Sequence, residues 1–211
     1  MPERRIVALE RLAHQVTEIV QWLASLLSRQ SPPSGGDFGG AGASGSVESQ
    51  AQINTKAFLQ VTRACEGTAG ENGYRTLFGG RLFDSFADHP RVRFYEQYDG
   101  QFIKNGKLDY TTAAGAYQAT ETTWDAFVAD EVKAGRPKPD FSPESQDLFA
   151  TWLIAKNNAL NDVEAGRLDA ALHKCSGTWA SFPYSTSGQP KRTFEFCRRA
   201  FTVAGGIVTE G

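Results

Sequence analysis

The sequence is poor in the residue types that hold metals or form disulfide frameworks: its 211 residues include only three histidines and three cysteines. The cysteines are odd in number and widely spaced, so neither a disulfide framework nor a CxxC pair is predicted. The histidines, His14, His89 and His173, lack the short spacing of a zinc site. A GxSxG elbow and a phosphate-binding loop are also missing. The sequence therefore implies no metal and no cofactor.

An excess of charge of either sign is also lacking. Lysine and arginine together number 22 against 24 acidic residues, which gives a formal charge of −2. This balance predicts no general attraction to nucleic acid or to anionic lipid. Long apolar runs are absent too, because charged and polar residues interrupt the apolar stretch of residues 1–30, whereas a membrane span needs about 20 nearly continuous apolar residues. We therefore expect neither a membrane span nor a signal peptide in this stretch.

What residues 1–30 do contain is the pattern of an amphipathic helix. Apolar side chains recur at alternating three- and four-residue steps: Ile6, Leu9, Ala13, Val16, Val20, Leu23 and Leu27. Such spacing is typical of a helix that packs against a partner helix, in a self-associated form or on another protein. Docking on its own domain and lying flat on a membrane surface remain open as alternatives. Residues 31–53, rich in glycine, serine and proline, predict a flexible linker.

Residues 54–211 predict the working domain, an α+β architecture that is mostly helical. A first helix is expected to begin at Asn54 or Thr55 and to end at Glu66. Further helices are expected after Thr120, from Ser142-Pro143 onward, and over about 158–165, 167–175 and 191–203. Between the first two, the strings "VRFYEQY" and "GQFIKN", joined at Asp99-Gly100, predict a small antiparallel β-hairpin.

Glu66 stands where the first helix is predicted to stop, because Gly67 follows it directly and glycine is common just past a helix end. The carbonyl end of a helix carries partial negative charge and disfavours a carboxylate anion. If apolar walls also shield it, a glutamate there tends to stay protonated, as a general acid requires. A solvated helix terminus is the simpler interpretation, and the local sequence leaves both open. The neighbouring Cys65 lacks the histidine partner that a cysteine nucleophile needs.

Five short motifs occur in a fixed order over about residues 54–205: "CEGT", "DHPR", "AGAYQ", "SPESQD" and "CSGTWAS.P". In their order and separation they resemble the lambda-type phage endolysin family. That family consists of peptidoglycan lytic transglycosylases with a lysozyme-like fold. The resemblance therefore implies that fold and that activity for the working domain, and it does not extend to the N-terminal helix or the linker.

The resemblance also implies a set of functional residues. The family's catalytic glutamate corresponds to Glu66 of "CEGT", and its glycan-groove motif corresponds to Gly115, Tyr117 and Gln118 of "AGAYQ". In "DHPR", Asp88 and His89 are expected to fix the loop before the hairpin rather than to take part in chemistry.

Two further groups of residues carry weaker implications. Trp124 and Trp179 match aromatic positions of the family, where core packing is favoured over sugar stacking. At the far end of the groove this chain has Ser187 where the family carries an aromatic residue before Gly-Gln. Tyr184 and Gln189 are the candidates to complete the groove there. The stretch 91–114 is longer than in the family pattern, so the predicted hairpin beside the cleft is expected to be extended.

The surroundings of Glu66 offer no second carboxylate. Hydrolysing glycosidases usually pair two, and T4-type lysozymes place an aspartate about nine residues after the glutamate. Here that position is Arg75, and the nearest acid, Glu71, lies in a glycine-rich turn. A lytic transglycosylase needs only one carboxylate, because the C6 hydroxyl of the substrate's own muramic acid attacks its C1. Together with the resemblance, this favours Glu66 as general acid and then base.

The predicted function is accordingly a phage or prophage endolysin that acts on peptidoglycan glycan strands. The resemblance implies a protein made in the host cytoplasm that reaches the wall in the periplasm after release. Two alternatives remain: a hydrolytic lysozyme of the T4 or P22 type, and a virion-associated module that binds or degrades the wall. The N-terminal helix would serve self-association, docking on another phage protein, or contact with a membrane surface.

Overall fold

A computed structural model describes residues 48–97, 100–101, 103–104 and 107–210. The predicted helix of residues 1–30 and the predicted linker up to residue 47 lie outside the described residues. The described part contains six α-helices: α1 Gln50–Glu66, α2 Glu121–Lys133, α3 Pro143–Lys156, α4 Leu160–Glu164, α5 Leu168–Cys175 and α6 Phe194–Val203. Two turns of 3₁₀-helix, Gly73–Arg75 and Phe78–Gly80, lie between α1 and the strands.

The first helix starts earlier than the sequence predicts. A capping box holds this end, in which the Ser49 hydroxyl accepts from the Gln52 N–H and the Gln52 side chain accepts from the Ser49 N–H at 2.9 Å. Asn54 and Thr55, the predicted caps, lie buried inside the helix. The prediction that Asn54 or Thr55 caps this helix is therefore wrong, because the cap is Ser49, and a working domain of residues 54–211 stays a prediction. The first turn, "QAQI", contains a single large apolar residue and so gives no periodic signal.

The end of α1 lies where the sequence predicts it. Gly67 adopts the left-handed conformation with φ of +74°. Its N–H donates to the Ala64 carbonyl at 3.4 Å, and the Thr68 N–H donates to the Arg63 carbonyl at 2.8 Å. These two bonds form a Schellman motif, which satisfies carbonyls that would otherwise lack partners. Glu66 is thereby held as the last residue of the helix.

The region that was predicted as a hairpin contains two short antiparallel strand pairs. β1 Glu96–Gln97 pairs with β2 Gly100–Gln101, and β3 Ile103–Lys104 pairs with β4 Lys107–Leu108. The connecting residues 98–99, 102 and 105–106 lie outside the described part of the chain. The continuous hairpin joined at Asp99-Gly100 thus remains a prediction.

An aromatic core joins α2 to α3. Trp124 of α2 makes an edge contact with Phe141, with ring centroids 4.7 Å apart, and a tilted contact with Phe149 of α3 at 5.5 Å. All three are at most 1% exposed. Such pairs add to the stabilisation from burial alone because the positive edge of one ring meets the negative face of another. The cap predicted at Ser142-Pro143 starts α3 as expected, with the Ser142 hydroxyl accepting from the Ser145 N–H.

The first turns of α1 are tied to the end of the chain. The Asn54 side chain donates to the Glu164 carbonyl at 2.9 Å and accepts from the Ile207 N–H at 3.0 Å. Gln50 donates to Asn54 at 2.9 Å and to the Gly205 carbonyl at 3.4 Å. Asn54 is 2% exposed, so these bonds satisfy a buried amide.

None of the described helices is both long enough and apolar enough to cross a membrane.

Candidate functional site

A cleft of about 570 Å³ opens where α1 ends. Its walls are residues 65–68 at the end of α1, the turn 76–80, parts of the segment 111–120, and residues 178–181 with Gln189 and Pro190. Of the described residues that line the cleft, Glu66 alone carries a carboxylate, and the others have neutral side chains. The cleft therefore offers one titratable carboxyl group in a neutral surface that suits uncharged sugars.

Glu66 is held by one hydrogen bond from across the cleft. The Ser181 hydroxyl donates to its Oε1 at 2.5 Å. Burial raises the pKa of Glu66, and the hydrogen bond from Ser181 opposes that rise. The carbonyl end of α1 adds to the effect of burial, because it too disfavours the anion. The expected consequence of the helix terminus, a carboxyl group biased toward its protonated form, matches the direction of this shift.

Tyr117 is among the residues that line the cleft, and its hydroxyl is bound to Asp147. It donates to Asp147 Oδ1 at 2.6 Å, and the Tyr74 hydroxyl donates to the same oxygen at 2.8 Å. Burial raises the pKa of Asp147, while the two tyrosine hydrogen bonds lower it. The Arg63 guanidinium lies 4.4 Å from the centroid of the Tyr74 ring. Asp147 therefore fixes two tyrosines behind the cleft and is not among the residues that line it.

Gly115 and Gln118 shape the cleft wall from within. Gly115 has φ of +76° and lies directly against the Gln146 side chain. Gln118 lines the cleft, also has a positive φ of +50°, and donates from Nε2 to the carbonyls of Gly115 at 3.0 Å and Thr76 at 3.3 Å. Both hydrogen bonds that the Gln118 side-chain amide donates thus go to backbone carbonyls. Gly115 is not among the lining residues, so the structure assigns it a structural role.

Of the two candidates at the far end of the groove, Gln189 lines the cleft and Tyr184 does not. Gln189 is exposed and lines the cleft. Tyr184 is not among the lining residues: its ring stacks on His173, with centroids 3.5 Å apart, and its hydroxyl donates to Asp169. These two partners on α5 hold the Tyr184 side chain, and the compensation for Ser187 by Tyr184 stays a prediction.

The remaining sequence candidates divide between the core and the cleft. Trp124 is fully buried, as core packing requires, whereas Trp179 lines the cleft and donates from Nε1 to the Tyr117 carbonyl at 3.3 Å. His89 is buried, with Nε2 lying 2.8 Å from the Ala119 carbonyl and Nδ1 accepting from the Arg91 N–H at 3.1 Å. These contacts make His89 a loop-fixing residue, in agreement with the interpretation of "DHPR".

Cys65, the neighbour of Glu66, is a buried thiol. Its Sγ lies 3.5 Å from Sγ of Cys197 on α6. The contact with Cys197 and burial raise the pKa of Cys65 far above its ordinary value. A thiol with a raised pKa is a poor nucleophile, because the thiolate is the reactive form. The structure therefore supports the argument against a catalytic cysteine.

Sequence reasoning missed Ser181 as a site residue, although the motif "CSGTWAS.P" contains it. The contact with Glu66 joins residues 115 positions apart in the chain. Asp147 lies inside "SPESQD", where the sequence suggests no role for it, and its carboxylate accepts a hydrogen bond from Tyr117, 30 positions away in the chain. The motifs marked these residues as notable, and only the fold shows what they contact.

Comparison with known proteins gives consistent matches for this domain. A family model described as Endolysin matches residues 56–208. The endolysin of Escherichia phage lambda is 34% identical over 161 residues, covering 74% of this chain and 93% of that protein. The endolysin of Escherichia phage P2 is 32% identical over 166 residues, covering 73% and 94%.

Solved structures agree with the sequence relatives. Bacteriophage lambda lysozyme complexed with a chitohexasaccharide superposes with a TM-score of 0.63 at 34% identity, over 77% of this chain and 99% of that one. A second structure, described as lysozyme from bacteriophage lambda, gives a TM-score of 0.60 at 31% identity, over the same shares. The lysozyme-like, mostly helical fold predicted for the domain is confirmed by these neighbours.

Proposed function

The chain belongs to the endolysin family, and from this premise we propose that it is a lytic transglycosylase that cleaves the bond between N-acetylmuramic acid and N-acetylglucosamine in peptidoglycan. The family match confirms the resemblance carried by the five motifs. In its broader class the protein is a phage endolysin, a glycosidase that degrades the bacterial cell wall.

One observation carries the finer assignment: Glu66 is the sole carboxylate among the described residues that line the cleft. A hydrolase needs a second carboxyl group, about 5 Å away as a nucleophile or about 6.5–9.5 Å away as a base for water. Asp147 is engaged with Tyr74 and Tyr117 and is not a lining residue. A mechanism that supplies its nucleophile from the substrate fits a cleft with one carboxyl group.

The chemistry follows from a single group that gives a proton and then takes one. Protonated Glu66 donates its proton to the bridging oxygen as the bond from C1 of the muramic acid to that oxygen breaks. The C6 hydroxyl oxygen of the same sugar then bonds to C1, and its proton passes to the Glu66 carboxylate. The product is a 1,6-anhydro sugar, and Glu66 returns to its starting form. Because the attacking hydroxyl belongs to the bound sugar, its attack has a large orientational advantage over that of water.

Ser181 has a definite part in this scheme. Since its hydroxyl donates to Oε1 of Glu66, the proton of the neutral carboxyl group is directed to Oε2. Oε2 is then the atom that protonates the bridging oxygen. The lambda lysozyme complex, which contains a chitohexasaccharide, supports a glycan strand as the occupant of the corresponding cleft here. We further propose that the protein is made in the host cytoplasm and acts on the wall in the periplasm.

The products of digestion test the function. Purified peptidoglycan should release fragments that end in 1,6-anhydro-N-acetylmuramic acid, which mass spectrometry distinguishes from reducing ends by the mass of one water. Reducing ends would instead identify a hydrolytic lysozyme. Release of no fragments at all would favour a wall-binding module.

Replacing Ser181 with alanine should change the pH dependence of the enzyme as well as its rate. The hydrogen bond from Ser181 lowers the pKa of Glu66, so its loss raises that pKa further. A general acid is active while protonated, so the alkaline limb of the kcat profile should move to higher pH. The value of kcat should fall by roughly ten- to hundred-fold, because the carboxyl group is no longer oriented. Turbidity assays over a pH series measure both effects.

Two variants complete this experiment. Ser181→Thr retains a hydroxyl and should restore the wild-type pH profile. Ser176→Ala removes a serine whose hydroxyl donates to the His173 carbonyl, away from the cleft, and should change neither quantity. If Ser181→Ala lowers the rate but leaves the alkaline limb in place, Ser181 does not act through the Glu66 carboxyl group.

A further inference from the structure

Arg81 lies at the rim of the cleft, with its guanidinium packed over an aromatic ring. Its Cζ atom lies 4.8 Å from the centroid of the Phe94 ring, and that ring contacts Phe78, a cleft-lining residue, with centroids 5.9 Å apart. The backbone of Phe94 exchanges two hydrogen bonds of 2.8 Å with Thr111, which also lines the cleft. The Arg81 guanidinium therefore lies on the Phe94 ring, and Phe94 is held to the cleft wall by its contact with Phe78 and its backbone hydrogen bonds to Thr111.

The backbone at Arg81 is fixed as well. Gly79 and Gly80 both have positive φ, +78° and +85°, and make a tight turn in the cleft wall. The Arg81 carbonyl accepts from the Leu77 N–H at 2.7 Å, which closes this turn. A side chain on a closed turn, with its guanidinium resting on a ring, loses less conformational entropy on binding than a free arginine does.

The guanidinium of Arg81 differs from most others in this domain. Six arginines of the described part have a carboxylate within 4.0 Å: Arg75, Arg91, Arg93, Arg136, Arg167 and Arg198. For Arg81, which is exposed, the described residues supply no such carboxylate. Its planar fork of N–H donors suits bidentate binding of a carboxylate from outside the chain.

We propose that Arg81 binds a carboxylate of the peptide stem that muramic acid carries in peptidoglycan, an inference that rests on the proposed function. In peptide-bearing glycan the sugars and the amide-linked lactyl group are uncharged, so the anionic groups belong to the stem. The cleft lining is neutral apart from Glu66, which suits the sugars. A stem that leaves the cleft over the turn 76–80 meets Arg81 there. The enzyme would thus prefer glycan that still carries its peptides.

The test compares Arg81→Gln with the wild type on three forms of purified glycan strand. The first carries intact stems, the second has been stripped by an amidase, and the third keeps its stems with their carboxylates converted to amides. On intact strands the variant should cleave roughly ten-fold more slowly, since a charge-assisted bidentate contact is lost. On the other two forms the variant and the wild type should cleave at equal rates. Added salt should narrow the difference on intact strands.

Each other outcome overturns the proposal. A loss that persists on amidated strands excludes a carboxylate as the ligand. A loss that persists on stripped strands, where each muramic acid retains only its lactyl carboxylate, excludes the stem. Equal rates on all three forms exclude any contact of consequence.

Two control variants test whether the change in rate is specific to the Arg81 guanidinium. Arg198→Gln removes an exposed arginine of α6 that pairs with Glu195 and should leave all three rates unchanged. Arg81→Lys keeps the charge without the planar fork and should recover part of the rate on intact strands. Because rates are counted as chain breaks, whatever the new chain end, reducing ends in place of anhydro ends would refute transglycosylation and still leave the effect of Arg81 measurable.

Discussion

Glu66→Gln should abolish cleavage of the wall while leaving the fold intact. Glutamine keeps the size of the side chain and can still accept the hydrogen bond from Ser181, but its amide cannot supply a proton to the bridging oxygen. We expect the rate to fall by roughly a thousand-fold or more, because both the acid and the base step depend on this group. Clearance of purified peptidoglycan, followed by turbidity, measures the loss.

The matched control for this substitution is Glu71→Gln. Glu71 is exposed in the glycine-rich turn after α1 and is the next acidic residue along the chain. Its replacement should leave the rate unchanged. A Glu66→Gln protein that clears the wall at more than a tenth of the wild-type rate would remove Glu66 from the mechanism.

The same variant should show how the site affects stability. Burial raises the pKa of Glu66 above its ordinary value of 4.5, so between that value and the raised one the folded state binds more protons than the unfolded state. The free energy of unfolding of the wild type therefore falls as the pH rises through this window. Glutamine does not ionise, so Glu66→Gln should be the more stable protein at neutral pH, and the two should converge below pH 4.5. Urea unfolding of both proteins at several pH values tests this order of stabilities.

Gly115→Ala should produce the second large effect, on stability. The residue has φ of +76°, which strains any side chain, and an added methyl group would overlap the Gln146 amide and approach the Phe141 ring. Gln146 cannot give way easily: it accepts from the Ala116 N–H at 2.8 Å and donates to the carbonyls of Phe141 and Tyr74. Backbone strain and overpacking together should cost about 3 kcal/mol. Thermal unfolding should show a drop of about 10 °C.

Two other glycines separate the causes. Gly67→Ala has a positive φ of +74° but no atom within 4 Å of the added methyl group, so it should show the cost of strain alone. Gly177→Ala has neither a positive φ nor a close atom, and it should be nearly neutral. If Gly115→Ala destabilises the folded protein no more than Gly67→Ala does, the overlap with Gln146 contributes nothing to the loss of stability.

Local signals in the sequence were sufficient where a structure depends on neighbouring residues. The end of α1 follows from Gly67, and the start of α3 follows from Ser142-Pro143, since each requires only adjacent backbone groups. The start of α1 was missed, because a capping box in a polar stretch resembles a linker. The family resemblance then located Glu66, whose environment no local pattern describes.

The parts of the site that the sequence could not predict depend on distant contacts. The residue type of Tyr184 makes it a groove candidate, and its contacts with Asp169 and His173 appear only in the fold. Gln118 has the right type and place for binding sugar, yet its amide donors serve the backbone. Ser181 belongs to a recognised motif, but its partner lies on another element. Side-chain type shows what a residue can bind, and only the packing shows which of its groups remain available.

The bonds that tie the first turns of α1 to the chain's last residues also determine how this domain can be tethered. Gln50 and Asn54 bond to the backbone of Gly205 and Ile207, so the two ends of the described domain lie side by side. Glu66 lies 16 residues beyond Gln50 along α1, roughly 24 Å away at 1.5 Å per residue. A cargo fused before Glu48 or after Glu210 would therefore be attached at the same end of the domain, remote from the Glu66 carboxyl group. The same closeness of the ends makes the domain a natural subject for circular permutation.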